Sequence, residues 1–140
     1  PGVHSSQIAF PGGKKELTDT TLKDTALRET NEEVGINVNE VEIIKQWSDL
    51  YIPPSNFMVS AFMGISLETQ NFVLQPDEVS GIIELPVTDL LNDALVQNVR
   101  MTTSYATNID VPAFVINDHI VWGATAMILS EIKKKKKSVF

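Results

Sequence analysis

The sequence contains no cysteine, which removes disulfides, thiolate metal sites and a cysteine nucleophile at once. With no signal peptide in view either, a reducing, cytoplasmic location is expected. No apolar run approaches the ~18 residues that a membrane-spanning helix needs, so no membrane partner is expected. Basic residues are scarce: 11 Lys and Arg stand against 18 Asp and Glu, a formal net charge of −7. Five of the basic residues form one run, Lys133 to Lys137, so the rest of the chain is more acidic still. Duplex nucleic acid requires a broad basic surface, and that composition excludes one. A small phosphorylated partner is compatible with it, because a bound cation reverses the local field. The chain also lacks an initial methionine, which predicts a segment ahead of Pro1.

What is present is ordinary for a globular protein. The 140 residues are 43% hydrophobic and 21% charged, enough for one domain over residues 1–140 with a buried core. His4 to Phe10 reads as a short strand running into the turn Pro11-Gly12-Gly13. Thr21 and Asp24 have capping-box spacing, and the helix they open meets no Pro or Gly until Gly35. Leu22, Ala26 and Thr30 fall on one stripe of that helix, predicted to face a core. Val41 to Trp47 and Asn56 to Ser66 alternate as strands, with Asp49 to Ser55 a loop between them. Glu78 to Leu85 reads as a further strand and Val87 to Val96 as a short helix. Phe114 to Trp122 reads as a hairpin turning at Asn117-Asp118, and Gly123 to about Lys134 as a closing helix. Strands and helices alternate without strict βαβ order, which points to an α/β fold around a mixed sheet.

The chemistry concentrates in Arg28-Glu-Thr-Asn-Glu-Glu33. On a helix Glu29, Glu32 and Glu33 are related by three- and four-residue spacing, so three carboxylates leave one face. Unscreened, they repel each other; a hard divalent cation such as Mg²⁺ or Mn²⁺ takes carboxylate donors of this kind. Arg28 lies one turn before Glu32, placed to hold that carboxylate. The hexapeptide alone is equally well read as a solvated acidic helix face. Its context is more telling: Gly12-Gly13 supplies a turn where backbone can approach a ligand, and Val34-Gly35-Ile36 stops the helix.

Together, Gly13 to Ile36 resembles the box of the Nudix hydrolase superfamily: glycine, five residues, an acid, a spacer, then Arg-Glu-x-x-Glu-Glu-x-Gly and an aliphatic. Asp19 stands where the usual glutamate does, the spacer to Arg28 is eight residues, and Thr30 replaces an aliphatic. These departures are peripheral to the carboxylate face. Phe10-Pro-Gly-Gly-Lys14, Thr25-Ala-Leu-Arg-Glu29, Asp77-Glu-Val79, Glu84-Leu-Pro86 and Val121 to Leu129 are similar to the coenzyme A pyrophosphatase branch. That branch carries arginines upstream of its Phe-Pro-Gly-Gly which are not in this chain.

The resemblance implies a Nudix-type α/β/α sandwich with a mixed central sheet. It also implies hydrolysis of a pyrophosphate bond by Mg²⁺ or Mn²⁺ held on Glu29, Glu32 and Glu33. Glu32, Glu33 and Arg28 become the catalytic candidates. Glu78, or less strongly Asp77, is the carboxylate from outside the helix that completes the site or acts as base. Gly13 and Lys14 are expected against the bound group. The substrate is a small nucleoside diphosphate derivative: coenzyme A or an acyl-CoA, giving 4'-phosphopantetheine and 3',5'-ADP. ADP-ribose, dinucleoside polyphosphates and nucleoside triphosphates stay open, as does a non-catalytic nucleotide sensor. Many members of the superfamily are dimers, which implies a homodimer. Blander roles are expected elsewhere: His4 and His119 at the surface, Tyr51 and Phe57 in sheet packing, Trp122 with Val121 in the core, and the lysine run solvating a helix end.

Overall fold

The computed structural model describes residues 8–102 and 107–136. The chain divides into two compact units, Phe10–Ile83 and Glu84–Phe140 together with Pro1–Ala9.

The first unit is organised by helix α1, Leu22–Val34. Thr21 Oγ1 accepts from the Asp24 amide and Asp24 Oδ2 accepts from the Thr21 amide, each at 3.2 Å, so two of the helix's orphan donors are satisfied reciprocally. At the other end Gly35 adopts φ 75° and its amide bonds the Asn31 carbonyl at 2.9 Å. A side chain there is excluded twice over, by that φ and by the Val73 backbone amide, which would stand 2.9 Å from an added Cβ. The segment Val73–Gln75 takes up the last helical carbonyls: the Val73 amide bonds Val34 O and the Gln75 amide bonds Glu33 O, both at 2.9 Å.

After α1 come the 3₁₀ turn Val38–Glu40 and strands β1 (Glu42–Gln46), β2 (Leu50–Ile52), β3 (Phe57–Val59) and β4 (Phe62–Ile65). β1 pairs antiparallel with β4 and β2 antiparallel with β3, with an irregularity between Ile43 and Lys45. The single strand expected over Asn56–Ser66 is therefore two strands. The chain changes partner at Ser60-Ala61, where Ser60 Oγ bonds Asp49 Oδ1 at 2.8 Å and the Trp47 amide bonds Ala61 O at 2.9 Å. Leu50–Ile52 of the expected Asp49–Ser55 loop form the strand β2, because the turn at Pro53–Asn56, with Asn56 at φ 58°, folds it back on β3. The stripe expected on α1 is also displaced. Leu22 is exposed, and the side chains that α1 buries are Thr25 and Val34. Glu78–Leu85 forms no strand: the Glu78 and Val79 amides both bond Gln75 O, which closes a turn instead.

The second unit holds helix α2 (Val87–Leu90), a 3₁₀ turn Asp93–Leu95, strands β5 (Val96–Met101), β6 (Ile109–Ile116) and β7 (His119–Val121), and helix α3 (Gly123–Lys134). The helix expected over Val87–Val96 breaks at Leu91-Asn92, where the Asn92 side chain caps the 3₁₀ turn by accepting from the Ala94 amide at 3.0 Å. The three strands form one antiparallel sheet with β6 central. The hairpin turns at Asn117 and Asp118, both with positive φ, as their residue types predict. Val111, Ala113, Phe114 and Ile116 of β6 are buried, as are Ala126, Leu129 and Ile132 along one stripe of α3. Val121 is buried in the core as expected, with Trp122 half-buried beside it at the start of α3. Lys133 bonds the Leu90 carbonyl at 3.2 Å and pairs with Asp93 at 3.0 Å, which lowers the Asp93 carboxyl below its ordinary range. At the first described residue, Ile8 O accepts from Thr125 Oγ1 at 2.9 Å.

The α/β class expected from the sequence is borne out, and every ladder among the described residues is antiparallel. The strand expected at His4–Phe10 lies mostly outside the described residues, and Ile8–Phe10 are not in a strand. No helix among the described residues is long and apolar enough to cross a membrane.

Candidate active site

Arg28 is the hub of the acidic helix. Its Nε and Nη2 form a fork onto the two oxygens of Asp19, at 3.0 and 2.9 Å. Its Nη1 reaches Glu29 Oε1 at 2.8 Å and both oxygens of Glu32 at 3.2–3.3 Å, with Glu16 at 3.6 Å. Its Nη2 also donates to the Lys14 carbonyl at 3.2 Å. The planar guanidinium suits this role, because its donors are fixed in one fork and its charge is permanent. The hydrogen bonds it donates to Asp19 first, and then to Glu29 and Glu32, raise the guanidinium further above its ordinary value.

The sequence places Asp19 at the periphery of the site; in the fold it is one of two buried polar residues among those described. It accepts from Arg28, from the Glu16 amide at 2.9 Å and from Thr25 Oγ1 at 3.0 Å. Those donors, Arg28 first, hold its carboxyl well below the usual carboxylate range. The charge is thus buried with a full set of partners. The signal in the sequence is the Arg28 spacing, but Asp19's burial depends on folding the chain ahead of the helix back over it.

The other face of the hub is unlike this. Glu33 Oε2 accepts from the Gly12 amide at 3.0 Å, which brings the glycine turn onto the helix's last turn. Burial pushes the Glu33 carboxyl up, partly offset by that amide, and the neighbouring Glu29 and Glu78 carboxylates push it further. Gly13 lies against Glu29: a Cβ at that position would stand 2.8 Å from the Glu29 carboxyl carbon. Glu78 reaches this neighbourhood through main-chain bonds, because Gln75 is tied to the Glu33 carbonyl and the turn at Pro76–Glu78 is tied to Gln75. The strand expected to carry Glu78 is absent, yet its turn delivers the residue to the acids. Glu32 is more exposed and faces Arg28. Glu32 and Glu33 also stand in the last turn of α1, the negative end of its dipole, with no basic residue in that turn.

Among the described residues, no three of these acids converge closely enough to form a finished metal cage. Their chemistry nevertheless fits a hard divalent cation. The donors are carboxylates that adjoin at Glu29 and Glu33, and the Glu33 carboxyl is raised first by burial and then by the neighbouring Glu29 and Glu78. A cavity of about 180 Å³ lies behind α1, against Leu27, Thr30, Ile43 and Phe62, and none of the acids lines it. The chemistry therefore sits on the opposite, open face of the helix.

Lys14 directs its Nζ over the Phe57 ring, 4.9 Å from the centroid. Phe57 and Tyr51 are exposed, at 45% and 50%, so neither is the packed sheet residue expected. His119 lies on β7, distant in sequence from every acid of the helix, and His4 falls outside the described residues.

A glycine turn laid on the last turn of a helix with Arg28, Glu29, Glu32 and Glu33 on one face defines a recognisable class. The sequence pattern of the NUDIX domain family matches residues 1–104, and the chain belongs to that family. It is similar to an uncharacterized Nudix hydrolase, NudL, of Yersinia enterocolitica, with 30% identity over 94% of this chain and 67% of the relative. It is also 31% identical to the human mitochondrial coenzyme A diphosphatase NUDT8, over 91% of this chain and 54% of that one. Nudix hydrolase 3 of Caenorhabditis elegans is 30% identical over 91% and 59% respectively. The chain thus spans between about half and two thirds of these relatives.

Proposed function

We propose that this protein hydrolyses the pyrophosphate bond of a nucleoside diphosphate derivative, with coenzyme A or an acyl-CoA as substrate. Water adds to one phosphorus, the bridging P–O bond breaks, and the products are 4'-phosphopantetheine, still carrying its acyl group where the substrate is an acyl-CoA, and 3',5'-ADP, with release of a proton. The observation that carries the reading is the gathering of helix carboxylates under the glycine turn: Glu33 accepts from the Gly12 amide at 3.0 Å, and Gly13 lies against the carboxylate of Glu29. Such a constellation is destabilising by itself and is relieved by a divalent cation. Glu29, Glu32 and Glu33 are the residues that would hold Mg²⁺ or Mn²⁺. When bound, the cation supplies Lewis acidity to the phosphate oxygens and lowers the pKa of a water.

The chain's own residues do the remainder. Arg28 fixes the rotamers of Glu29 and Glu32, so the donors are oriented before substrate arrives. Gly12 and Gly13 let the turn close on the carboxylates without a side chain between them. Lys14 is placed to meet a phosphate, and Glu78 is the base that accepts the water's proton, reaching the site through its turn. The coenzyme A preference rests on Phe10-Pro-Gly-Gly-Lys14, on the longer spacer after Asp19, and on the likeness to a relative whose name states that activity. One domain, a homodimeric assembly and a cytoplasmic location complete the proposal.

The test is turnover by the full-length protein with Mg²⁺ or Mn²⁺ of a panel holding coenzyme A, ADP-ribose, diadenosine polyphosphates and nucleoside triphosphates. Preferred cleavage of coenzyme A is expected. Preference for another member overturns the substrate, and no turnover of any member with metal bound overturns the hydrolase.

A further inference from the structure

The geometry points to Phe57 as a positioning residue for Lys14, whose ammonium binds the phosphate of the substrate's pyrophosphate that lies on the Phe57 side of the acids. This rests on the pyrophosphatase reading and adds to it a residue from β3, a strand outside the Nudix box.

Lys14 has a fixed base. Its carbonyl is held by Arg28 at 3.2 Å, and Gly12, two residues before it, is held by Glu33 at 3.0 Å. The Lys14 Cα therefore has a set position relative to the acidic face. A carboxylate attracts an ammonium more strongly than an aromatic ring does. Among the described residues, however, Lys14 is in no ion pair. Arg28 already answers Glu16, Glu29 and Glu32. The Lys14 ammonium lies instead on the Phe57 ring, at 4.9 Å.

The difference between those two partners is chemical. A carboxylate would neutralise the ammonium, and an incoming phosphate would have to displace it. A ring quadrupole attracts the cation without cancelling its charge, so the ammonium keeps its pull on an anion. Both Lys14 and Phe57 are open to solvent, which leaves the anion a path. Phe57 is itself held in register, paired with Ile52 across the β2–β3 hairpin. A phosphate oxygen is the ligand that matches: anionic, and accepting from a compact point-charge donor. Restricting the lysine before substrate binds lowers the ordering cost of binding, so its effect belongs in KM and not in the chemical step.

A double-mutant cycle on the full chain tests this, with KM and kcat read separately on the best substrate of the panel. Lys14→Met is expected to raise KM about tenfold with kcat within about twofold of wild type. Phe57→Leu, which keeps apolar bulk and removes the ring, is expected to raise KM about threefold to fivefold, and Phe57→Trp to restore it. In the Lys14→Met background, Phe57→Leu is expected to add nothing further. A wild-type KM for Phe57→Leu, or effects that multiply independently, would overturn the pairing. Should the wild type turn over no member of the panel, calorimetric binding of inorganic pyrophosphate with Mg²⁺ reads the pairing separately from the hydrolase. Weaker binding in both Lys14→Met and Phe57→Leu supports it; equal binding in all, or none by the wild type, overturns it.

Discussion

The two compact units are stabilised by different materials. Among the described residues, the unit carrying β5, β6, β7 and α3 holds nine of the eleven buried apolar side chains, with Phe114 and Val121 the most deeply enclosed. The unit carrying α1 contributes only Val34 and Trp47 to that set, together with both buried polar residues, Asp19 and Thr25. One is held by apolar area removed from water. The other is held around a polar knot in which one guanidinium answers four carboxylates. Apolar burial is indifferent to direction, whereas a fork of hydrogen bonds fixes angles. The unit that has to orient carboxylates is the one built on directional bonds.

The sharpest way to break the comparison is to substitute Glu33 by Gln. Hydrolysis is expected to fall by about 10³-fold or more, while the melting temperature holds or rises. The sign follows from the raised Glu33 carboxyl: its ionised form is disfavoured in the fold, so a neutral isostere relieves that penalty. A large drop in melting temperature with near-normal turnover would make Glu33 a structural residue. Phe114→Ala should do the reverse, with about 3–5 kcal/mol lost in urea unfolding and kcat of the folded fraction unchanged.

Arg28→Lys probes the knot itself. A lysine cannot reproduce the fork onto Asp19, so a loss of about tenfold to a hundredfold in kcat/KM is expected, with a lower melting temperature. Asp19 gives the knot a pH signature. Its carboxyl is depressed in the fold, so the unfolded chain binds the proton first. The stability it contributes is complete above the ordinary carboxylate value of about 4 and is lost as pH falls from there toward the folded value. Melting temperature followed from pH 6 downward (about 6 to 2) should show less of this fall in Asp19→Asn than in wild type. The smallest effect is expected at Thr21→Ala, which removes one cap for about 1 kcal/mol and leaves turnover unchanged.

How much of this is legible in the sequence depends on whether its cause is local. The capping box at Thr21 and Asp24, the stop at Gly35, the turn at Asn117-Asp118 and the helix from Gly123 are each set by a few neighbouring residues, and each is where the sequence places it. The clustering of Glu29, Glu32 and Glu33 on one helix face follows from helix periodicity alone. β5 escapes such a reading because its residues are mostly exposed, which leaves no alternation to follow. The change of partner at Ser60 escapes it because an unbroken alternating run gives no sign of a switch. Asp19 and Phe57 are misjudged for a shared reason. Their contacts with Arg28 and Lys14 are made by folding: the Asp19 spacing hints at Arg28 but not at burial, and no spacing rule joins Lys14 to Phe57.

The bonds from Val73 and Gln75 to the last carbonyls of α1 have a consequence for redesign. They fasten the long connection after β4 to the helix at a point just ahead of Glu78. Upstream of that fastening Gln70 is itself tied to the Asn37 amide and to Glu40, so residues 67–69 are the place to exchange or lengthen the chain while Glu78 stays in register with Glu33. A graft that replaces Val73–Gln75, or puts any side chain at position 35, would unfasten Glu78, the acid that follows the helix in the chain.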